Sequence, residues 1–185
     1  MTRVSHGGHD TGAYDPVDPA QGDMLCTIES EMAFDIAQRT ERLLRMKGFE
    51  VHMTRQPNEF ISLQKRCDIA NRLKADIFVS IHLNAHNNPN VRGIEVFSYP
   101  GSVEGAKLRN AVYMEIMNRF PGWRQRGTKE KALWVLKNTV MPAVLVECGF
   151  ITNVEEEREI HKPEIRQKFA EGIAAGVLAY REGVS

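Results

Sequence analysis

Two short apolar segments constrain the fold of this chain more than any other feature of its sequence. Residues 76–82 form a nearly continuous apolar run that ends at His82, and residues 143–146 are apolar throughout and precede Glu147. Such runs are typical of strands that are buried on both faces, as they are in a parallel sheet covered by helices. The sequence therefore predicts a central sheet whose core strands end at ionisable side chains.

Helical and strand-like segments alternate around these two runs. Apolar residues recur with a period near 3.6 in residues 28–47, for which Thr27 is the predicted N-terminal cap and Gly48 the predicted end. Further helices are predicted for residues 61–74, 103–120 and 164–180, and further strands for residues 49–54, 93–99 and 132–136. This order predicts one α/β domain over residues 1–185, with a mixed, mostly parallel twisted sheet of about six strands and helices on both faces.

Charge and hydropathy argue against two classes of function. Lysine plus arginine and aspartate plus glutamate both number 24, so no excess of positive charge marks a nucleic-acid binder. The longest apolar runs are far shorter than the roughly 20 residues that cross a bilayer, so no membrane span is expected. We expect a single globular chain that acts as a monomer.

The amino terminus and the cysteines bear on the compartment in which the chain works. Residues 1–10 lack the basic and then apolar layout of a secretory signal, so an exported chain would use another route or would have been trimmed. Cys26, Cys67 and Cys148 are too few and too widely spaced for a disulfide framework. We expect reduced, structural thiols.

Four residues place an acidic or metal-type side chain at a break between predicted elements: His6, Glu29, His82 and Glu147. His6 lies in a glycine-rich stretch that permits close approach of the backbone to a bound group, but the same stretch fits a flexible loop. Glu29 falls in the first turn of a predicted helix, where a carboxylate also interacts favourably with the helix dipole. Both residues therefore have a structural alternative.

His82 and Glu147 both follow dry strands, where an ionisable side chain is costly unless it finds partners. For His82 a metal and a hydrogen-bonded core contact both satisfy this requirement. Glu147 must be paired, ligated or shifted in pKa, and it is a candidate general base. Cys148 alternates to the opposite face of its strand and is expected to be a packed core thiol. His86 precedes Asn-Asn-Pro and is expected to lie in a loop.

Several segments match, in order and spacing, the motifs of one protein family. They are residues 6–13 (HGGHDTGA), Glu29, Thr54 and Arg55 with Leu63 and Arg66, Ala70 and Asn71, residues 80–85 (SIHLNA) and residues 141–153 (MPAVLVECGFITN). Through nearly its whole length the chain resembles the zinc-dependent N-acetylmuramoyl-L-alanine amidases of the type 3 group. It departs from them at the start, where only Thr2, Arg3 and Val4 stand between Met1 and Ser5, and Ser5 stands in place of a usual glycine.

The resemblance implies an activity and a site. His6, Glu29 and His82 would bind one zinc ion, and Glu147 would be the catalytic carboxylate. The substrate would be the amide bond between N-acetylmuramic acid and L-alanine in peptidoglycan. The chain would act at the cell wall, either as a phage lysin released on lysis or as a trimmed exported enzyme, and no separate wall-binding domain is visible.

Two imidazoles and one carboxylate suit zinc and leave a fourth position for water or substrate. Glu147 would accept the proton of the attacking water and return it to the departing amine, with activity at neutral to mildly alkaline pH. Asn84 and Arg66 lie near these motifs and are candidates for positioning the substrate. Loop bonding and a surface ion pair are their structural alternatives.

Two other functions fit the same residues. One is a different zinc hydrolase of the cell wall, such as a peptide-cleaving endopeptidase, which would use this chemistry on another amide. The other is a non-catalytic wall-binding module that retains the fold alone.

Overall fold

The structure is a computed structural model. It describes residues 3–7, 14–15, 27–57 and 59–183, and for residues 3–7, 14–15 and 27 it describes the backbone only. No helix among these residues is long and apolar enough to cross a membrane.

Helices and strands alternate along most of the chain. The strands are β1 (Arg3–Gly7), β2 (Tyr14–Asp15), β3 (Thr27–Ile28), β4 (Glu50–Met53), β5 (Ile77–Asn84), β6 (Ile94–Ser98), β7 (Gln125–Glu130) and β8 (Ala143–Phe150). The helices are α1 (Glu29–Met46), α2 (Leu63–Leu73), α3 (Val103–Arg119), α4 (Trp134–Asn138), α5 (Val154–Ile160) and α6 (Pro163–Glu182).

Six of the strands form one mixed sheet in the order β4-β1-β5-β8-β6-β7, and β2 pairs separately with β3. Neighbours in the large sheet pair in parallel except β6 and β8, which are antiparallel. The predicted mixed and mostly parallel sheet is therefore confirmed, and β5 and β8 lie at its centre as their apolar sequences indicate.

Side-chain alternation on the central strands separates two apolar layers. On β8, Val144 and Val146 pack with the core side chains of α1, α3 and α6, whereas Leu145 packs with those of α2 and α4. Each of these three side chains is less than 10% exposed, and full burial of such a side chain contributes about 1.5–3 kcal/mol. Helices therefore cover both faces of the sheet, as predicted.

The two ends of α1 differ in how well the sequence predicts them. Gly48 has a φ of +82°, and its N–H donates to the carbonyl of Arg45 at 3.0 Å, so the predicted end is confirmed. The predicted cap is wrong: Ile28 occupies the N-cap position without a side-chain hydrogen bond. Thr27 lies one residue earlier, where its backbone pairs with Asp15 of β2.

The predicted strand at residues 132–136 is wrong. The strand between α3 and β8 lies earlier, at β7, and residues 134–138 form the short helix α4. β7 reads Gln-Arg-Gly-Thr-Lys-Glu and lacks apolar alternation, because it is the edge strand of the sheet and is mostly half-buried. α4 buries Val135 and Leu136 while Trp134 stays 51% exposed. Helix α5 was not predicted; the side chain of Asn153 caps its start by accepting the Glu156 N–H at 3.1 Å.

Candidate active site at the carboxyl ends of the central strands

Three ionisable residues form a row across adjacent strands. Glu147 on β8 is the register partner of His82 on β5 and of Glu95 on β6. Register partners project from the same face of a sheet, and here that face is the one covered by α2 and α4. The row lies toward the carboxyl ends of β5 and β8, where functional residues of such sheets gather.

His82 is held by two partners on opposite sides of its ring. Its Nδ1 lies 2.8 Å from Oε1 of Glu29, and its Nε2 lies 2.8 Å from Oγ of Ser80. A carboxylate can only accept, so a proton on Nδ1 would be donated to Glu29, whereas the direction of the contact between Nε2 and the hydroxyl of Ser80 depends on the tautomer of the ring. His82 is 9% exposed and Glu29 6% exposed. The structure thus brings together two of the predicted ligands from residues far apart in sequence.

Glu29 reaches this position because it is the first residue of α1. The amino-terminal end of a helix carries a partial positive charge that favours a carboxylate. Glu29 therefore lies where it stabilises the start of α1 and contacts His82, and its role as a metal ligand stays a prediction.

The carboxylate of Glu147 has a buried oxygen without a protein partner. Within the part of the chain that the structure describes, its Oε2 forms no hydrogen bond, although the residue as a whole is only half-buried. Burial raises the pKa of Glu147 well above its usual range, and the negative charges of Glu29 and Glu95 raise it further, while Lys131 opposes them. Glu147 therefore binds a proton far more readily than an ordinary surface glutamate.

Glu95, the neighbour of Glu147 in the row, is surrounded by partners. Its Oε1 accepts from the amide of Asn84 at 2.8 Å, and its Oε2 accepts from Nε of Arg126 at 3.0 Å. The ammonium of Lys129 forms an ion pair with the same Oε2. Two carboxylates thus stand side by side. That of Glu95 is balanced by two cations, and that of Glu147 has no hydrogen bond at Oε2 from the described residues. Glu95 was not predicted as a site residue, although a glutamate inside the apolar run Ile94–Phe97 was a signal.

Asn84 and Arg66 occupy different surroundings. Asn84 ends β5, bonds to Glu95, and accepts the N–H of Ile151 at its backbone carbonyl at 2.9 Å, so loop bonding and proximity to the row are both present. The surface ion pair considered for Arg66 is wrong. Arg66 is 1% exposed on α2, and among the described residues its guanidinium nitrogens form no hydrogen bond. Burial lowers its pKa to about 10, with a smaller contribution from Arg55.

The backbone of His6 lies in β1, where its register partners are Met53 of β4 and Val79 of β5. Val79 precedes His82 on β5 by about 10 Å of strand, at about 3.3 Å per residue. The side chain of His6 lies outside the described part of the chain. Its role as a ligand stays a prediction.

The remaining histidine and cysteine predictions concern residues away from the row. His86 lies exposed after β5 and accepts the N–H of Asn88 at its Nδ1 at 3.0 Å, which confirms a loop residue. Cys67 and Cys148 are free and buried, and burial raises the pKa of the Cys148 thiol well above its usual range. Both behave as structural thiols, whereas Cys26 lies outside the described residues.

The donor set is consistent with part of a metal site. Among the described side chains no group of three or more histidine, cysteine, aspartate or glutamate residues could hold a metal ion. The close pair of Glu29 and His82 supplies one oxygen and one nitrogen donor, both of types that zinc accepts. The residues present fit such an ion only together with a third ligand.

A mostly parallel sheet covered on both faces, with an imidazole and buried carboxylates at its strand ends, defines an α/β protein with a candidate hydrolytic site. The family follows from sequence. The chain belongs to the N-acetylmuramoyl-L-alanine amidase family, whose sequence profile matches residues 2–179.

Known relatives support this assignment. The chain is 33% identical over 178 residues to the N-acetylmuramoyl-L-alanine amidase LytC of Bacillus subtilis (strain 168), covering 95% of this chain and 34% of LytC. It is 35% identical over 182 residues to the endolysin of Bacillus phage SPP1, covering 94% of this chain and 62% of the endolysin. The chain thus spans about a third of LytC and less than two thirds of the endolysin.

A solved structure extends the likeness to the fold. The N-acetylmuramoyl-L-alanine amidase AmiC2 of Nostoc punctiforme superposes with a TM-score of 0.87 at 33% sequence identity. The match covers 98% of this chain and 97% of that one.

Proposed function

We propose that this chain hydrolyses the amide bond between N-acetylmuramic acid and the L-alanine of peptidoglycan stem peptides. The observation that carries the proposal is the buried Oε2 of Glu147, which forms no hydrogen bond among the described residues and stands beside the Glu29–His82 pair. An oxygen without a hydrogen bond to the described residues is available to a water molecule. Membership of the amidase family indicates which bond that water attacks.

We propose that the reaction depends on one zinc ion held by His6, Glu29 and His82. When bound, zinc polarises a carbonyl oxygen and lowers the pKa of its water to about 7. The family resemblance and the contact between Glu29 and His82 support this ligand set. The hydroxyl of Ser80 fixes the orientation of the His82 ring through its Nε2.

Glu147 is proposed to move the proton. Its carboxylate accepts a proton from the attacking water and returns it to the amine of L-alanine as that amine departs. A general base works best when its pKa lies near the operating pH, and burial together with Glu29 and Glu95 raises the pKa of Glu147 in that direction. Glu95 is held in place by Asn84 and Lys129, so its charge stays at a fixed distance from Glu147.

The place where the chain acts follows from the proposed substrate. We propose that residues 1–185 act as one catalytic domain, as a monomer, on peptidoglycan at the cell wall. A phage lysin released on lysis and an exported enzyme both fit this proposal, and the relatives include an endolysin.

Digestion of purified sacculi, with and without a chelator, tests the activity. Mass analysis of the released material is expected to show free amino-terminal L-alanine together with intact glycan strands, and the chelator is expected to abolish the release. A cut inside the stem peptide would indicate an endopeptidase instead of an amidase. If the zinc-loaded protein bound sacculi without releasing any fragment, the result would indicate a wall-binding module.

Two variants test the roles of the residues. Glu147→Ala is expected to retain zinc and lose nearly all turnover, because the proton carrier is removed while the ligands remain. His82→Ala is expected to lose both. Atomic absorption measures the zinc content of each variant, and thermal unfolding establishes that each variant is folded. Wild-type turnover in Glu147→Ala would remove this residue from the mechanism.

A further inference from the structure

Two lysines of the chain converge beside the catalytic row. The ammonium of Lys129 lies 5.9 Å from the ring centroid of Phe97, and that of Lys131 lies 5.7 Å from the same centroid. Phe97 follows Glu95 by two residues on β6, so it projects from the same face as Glu95 and Glu147. Both ammonium groups therefore lie on the side of the sheet that carries the proposed chemistry.

The charges at this place do not balance. Lys129 and Arg126 share one carboxylate, that of Glu95. Lys131 is exposed and forms no ion pair within the described part of the chain. Glu130, which lies between the two lysines in sequence, approaches Arg109 of α3 at 3.9 Å instead. Glu95 is thus paired with Arg126 and Lys129, and Lys131 remains as the cation of this group that forms no ion pair among the described residues.

The charge of Lys131 is exposed to solvent and acts on Glu147. The positive charge of Lys131 counteracts the rise in the pKa of Glu147, which places this lysine within electrostatic reach of the proposed proton carrier. Gly127 on β7 is the register partner of Glu95, and a Cβ added there would meet no atom within 4 Å. The space beside Gly127 on the edge strand, next to Glu95, is therefore open.

The proposal of a substrate-binding role for these lysines rests on the proposed function. After amide cleavage the stem peptide leaves with L-alanine as its amino-terminal residue, and the amine of this alanine receives the proton from Glu147. The next residue of a stem peptide is a glutamate, present as the free acid or as its amide. We propose that Lys131, supported by Lys129, binds the carboxylate of this residue. The enzyme then prefers acidic stem peptides to amidated ones.

Two synthetic disaccharide–tripeptides that differ only in this carboxyl or amide group test the proposal with the zinc-loaded protein. An exposed ion pair contributes about 0.2–1 kcal/mol, so the wild type is expected to favour the acid by about 1.4–5-fold in kcat/KM, mainly through KM. Lys131→Met is expected to remove the preference, and Lys131→Arg to retain it. High salt is expected to weaken it in the wild type.

A matched control is Lys168→Met, which removes an exposed lysine of α6 on the other face of the sheet and is expected to leave the preference unchanged. Equal kcat/KM for the two substrates in the wild type would overturn the subsite while leaving the amidase function intact. An equal slowing of both substrates in Lys131→Met would also overturn it, because that result indicates an effect on Glu147 alone. Failure to cleave either substrate would instead contradict the proposed function.

Discussion

Replacement of Gly149 by alanine is expected to destabilise the protein strongly, because this glycine combines an unusual backbone with a crowded environment. It lies in β8 two residues after Glu147 and has a φ of +119°, a region that residues with a Cβ rarely adopt. An added Cβ would lie 2.9 Å from Cζ3 of Trp123 and 3.0 Å from Oε2 of Glu156. The second contact matters most, since that oxygen accepts the N–H of Phe150 at 2.8 Å.

The magnitude follows from two separate costs. A strained backbone at a non-glycine residue costs about 1–3 kcal/mol, and overpacking a well-filled core costs about 1–3 kcal/mol. Together they predict a loss of about 2–6 kcal/mol in the free energy of unfolding. For a chain of this size that loss lowers the melting temperature by at least about 4 °C.

Urea denaturation of the metal-free protein measures the effect, and Gly48→Ala provides the control. Gly48 has a φ of +82°, but a Cβ added there would meet no atom within 4 Å, so only the backbone cost of about 1 kcal/mol remains. The difference between the two variants isolates the crowding around Gly149. If Gly149→Ala loses no more stability than Gly48→Ala, the packing argument for the end of β8 is wrong.

Two further predictions concern buried charges. The raised pKa of Glu147 means that the folded state resists its ionisation, so stability falls as pH rises above about 4.3, the usual glutamate pKa, toward the folded value. Glu147→Gln is therefore expected to raise the melting temperature of the metal-free protein at pH 8 but not at pH 4, and equal melting temperatures at pH 8 would contradict this. Arg66→Met replaces a buried guanidinium without a hydrogen-bond partner among the described residues by an apolar side chain of similar length, and is expected to raise the free energy of unfolding by about 1–3 kcal/mol. Arg66→Lys, which keeps the charge, is the control in chemical denaturation, and a less stable Arg66→Met would reveal a partner.

Much of the fold was predictable because local patterns record burial. The apolar runs of β5 and β8 predict central strands, and both lie in the middle of the sheet. The 3.6-residue periods predict α1, α2, α3 and α6 to within a few residues. Glu29, His82 and Glu147 were recognisable as site candidates because each stands at a predicted boundary between elements, although β5 and β8 continue beyond His82 and Glu147 to Asn84 and Phe150. Their mutual contact or register pairing agrees with that expectation.

Other elements have no apolar pattern in the sequence that predicts them. β7 is an edge strand whose pairing with β6 is made by backbone hydrogen bonds, which depend little on side-chain polarity, so its polar sequence did not predict a strand. The short helix α4 resembles a strand in sequence because one turn of helix cannot display a 3.6-residue period. The cap at Thr27 failed because pairing with β2 extends one residue closer to α1 than the sequence indicates.

The sequence by itself determined the class of fold, the central strands and the residue types at their ends, because burial and helical period are written in consecutive residues. Only the tertiary structure decided how those end residues are charged. Glu95 is balanced by Arg126 and Lys129, which lie more than 30 residues away, while its neighbour Glu147 keeps a buried oxygen without a hydrogen bond among the described residues. The pKa of a carboxylate depends on its burial and on the charges near it in space, and residues that are distant along the chain supply both.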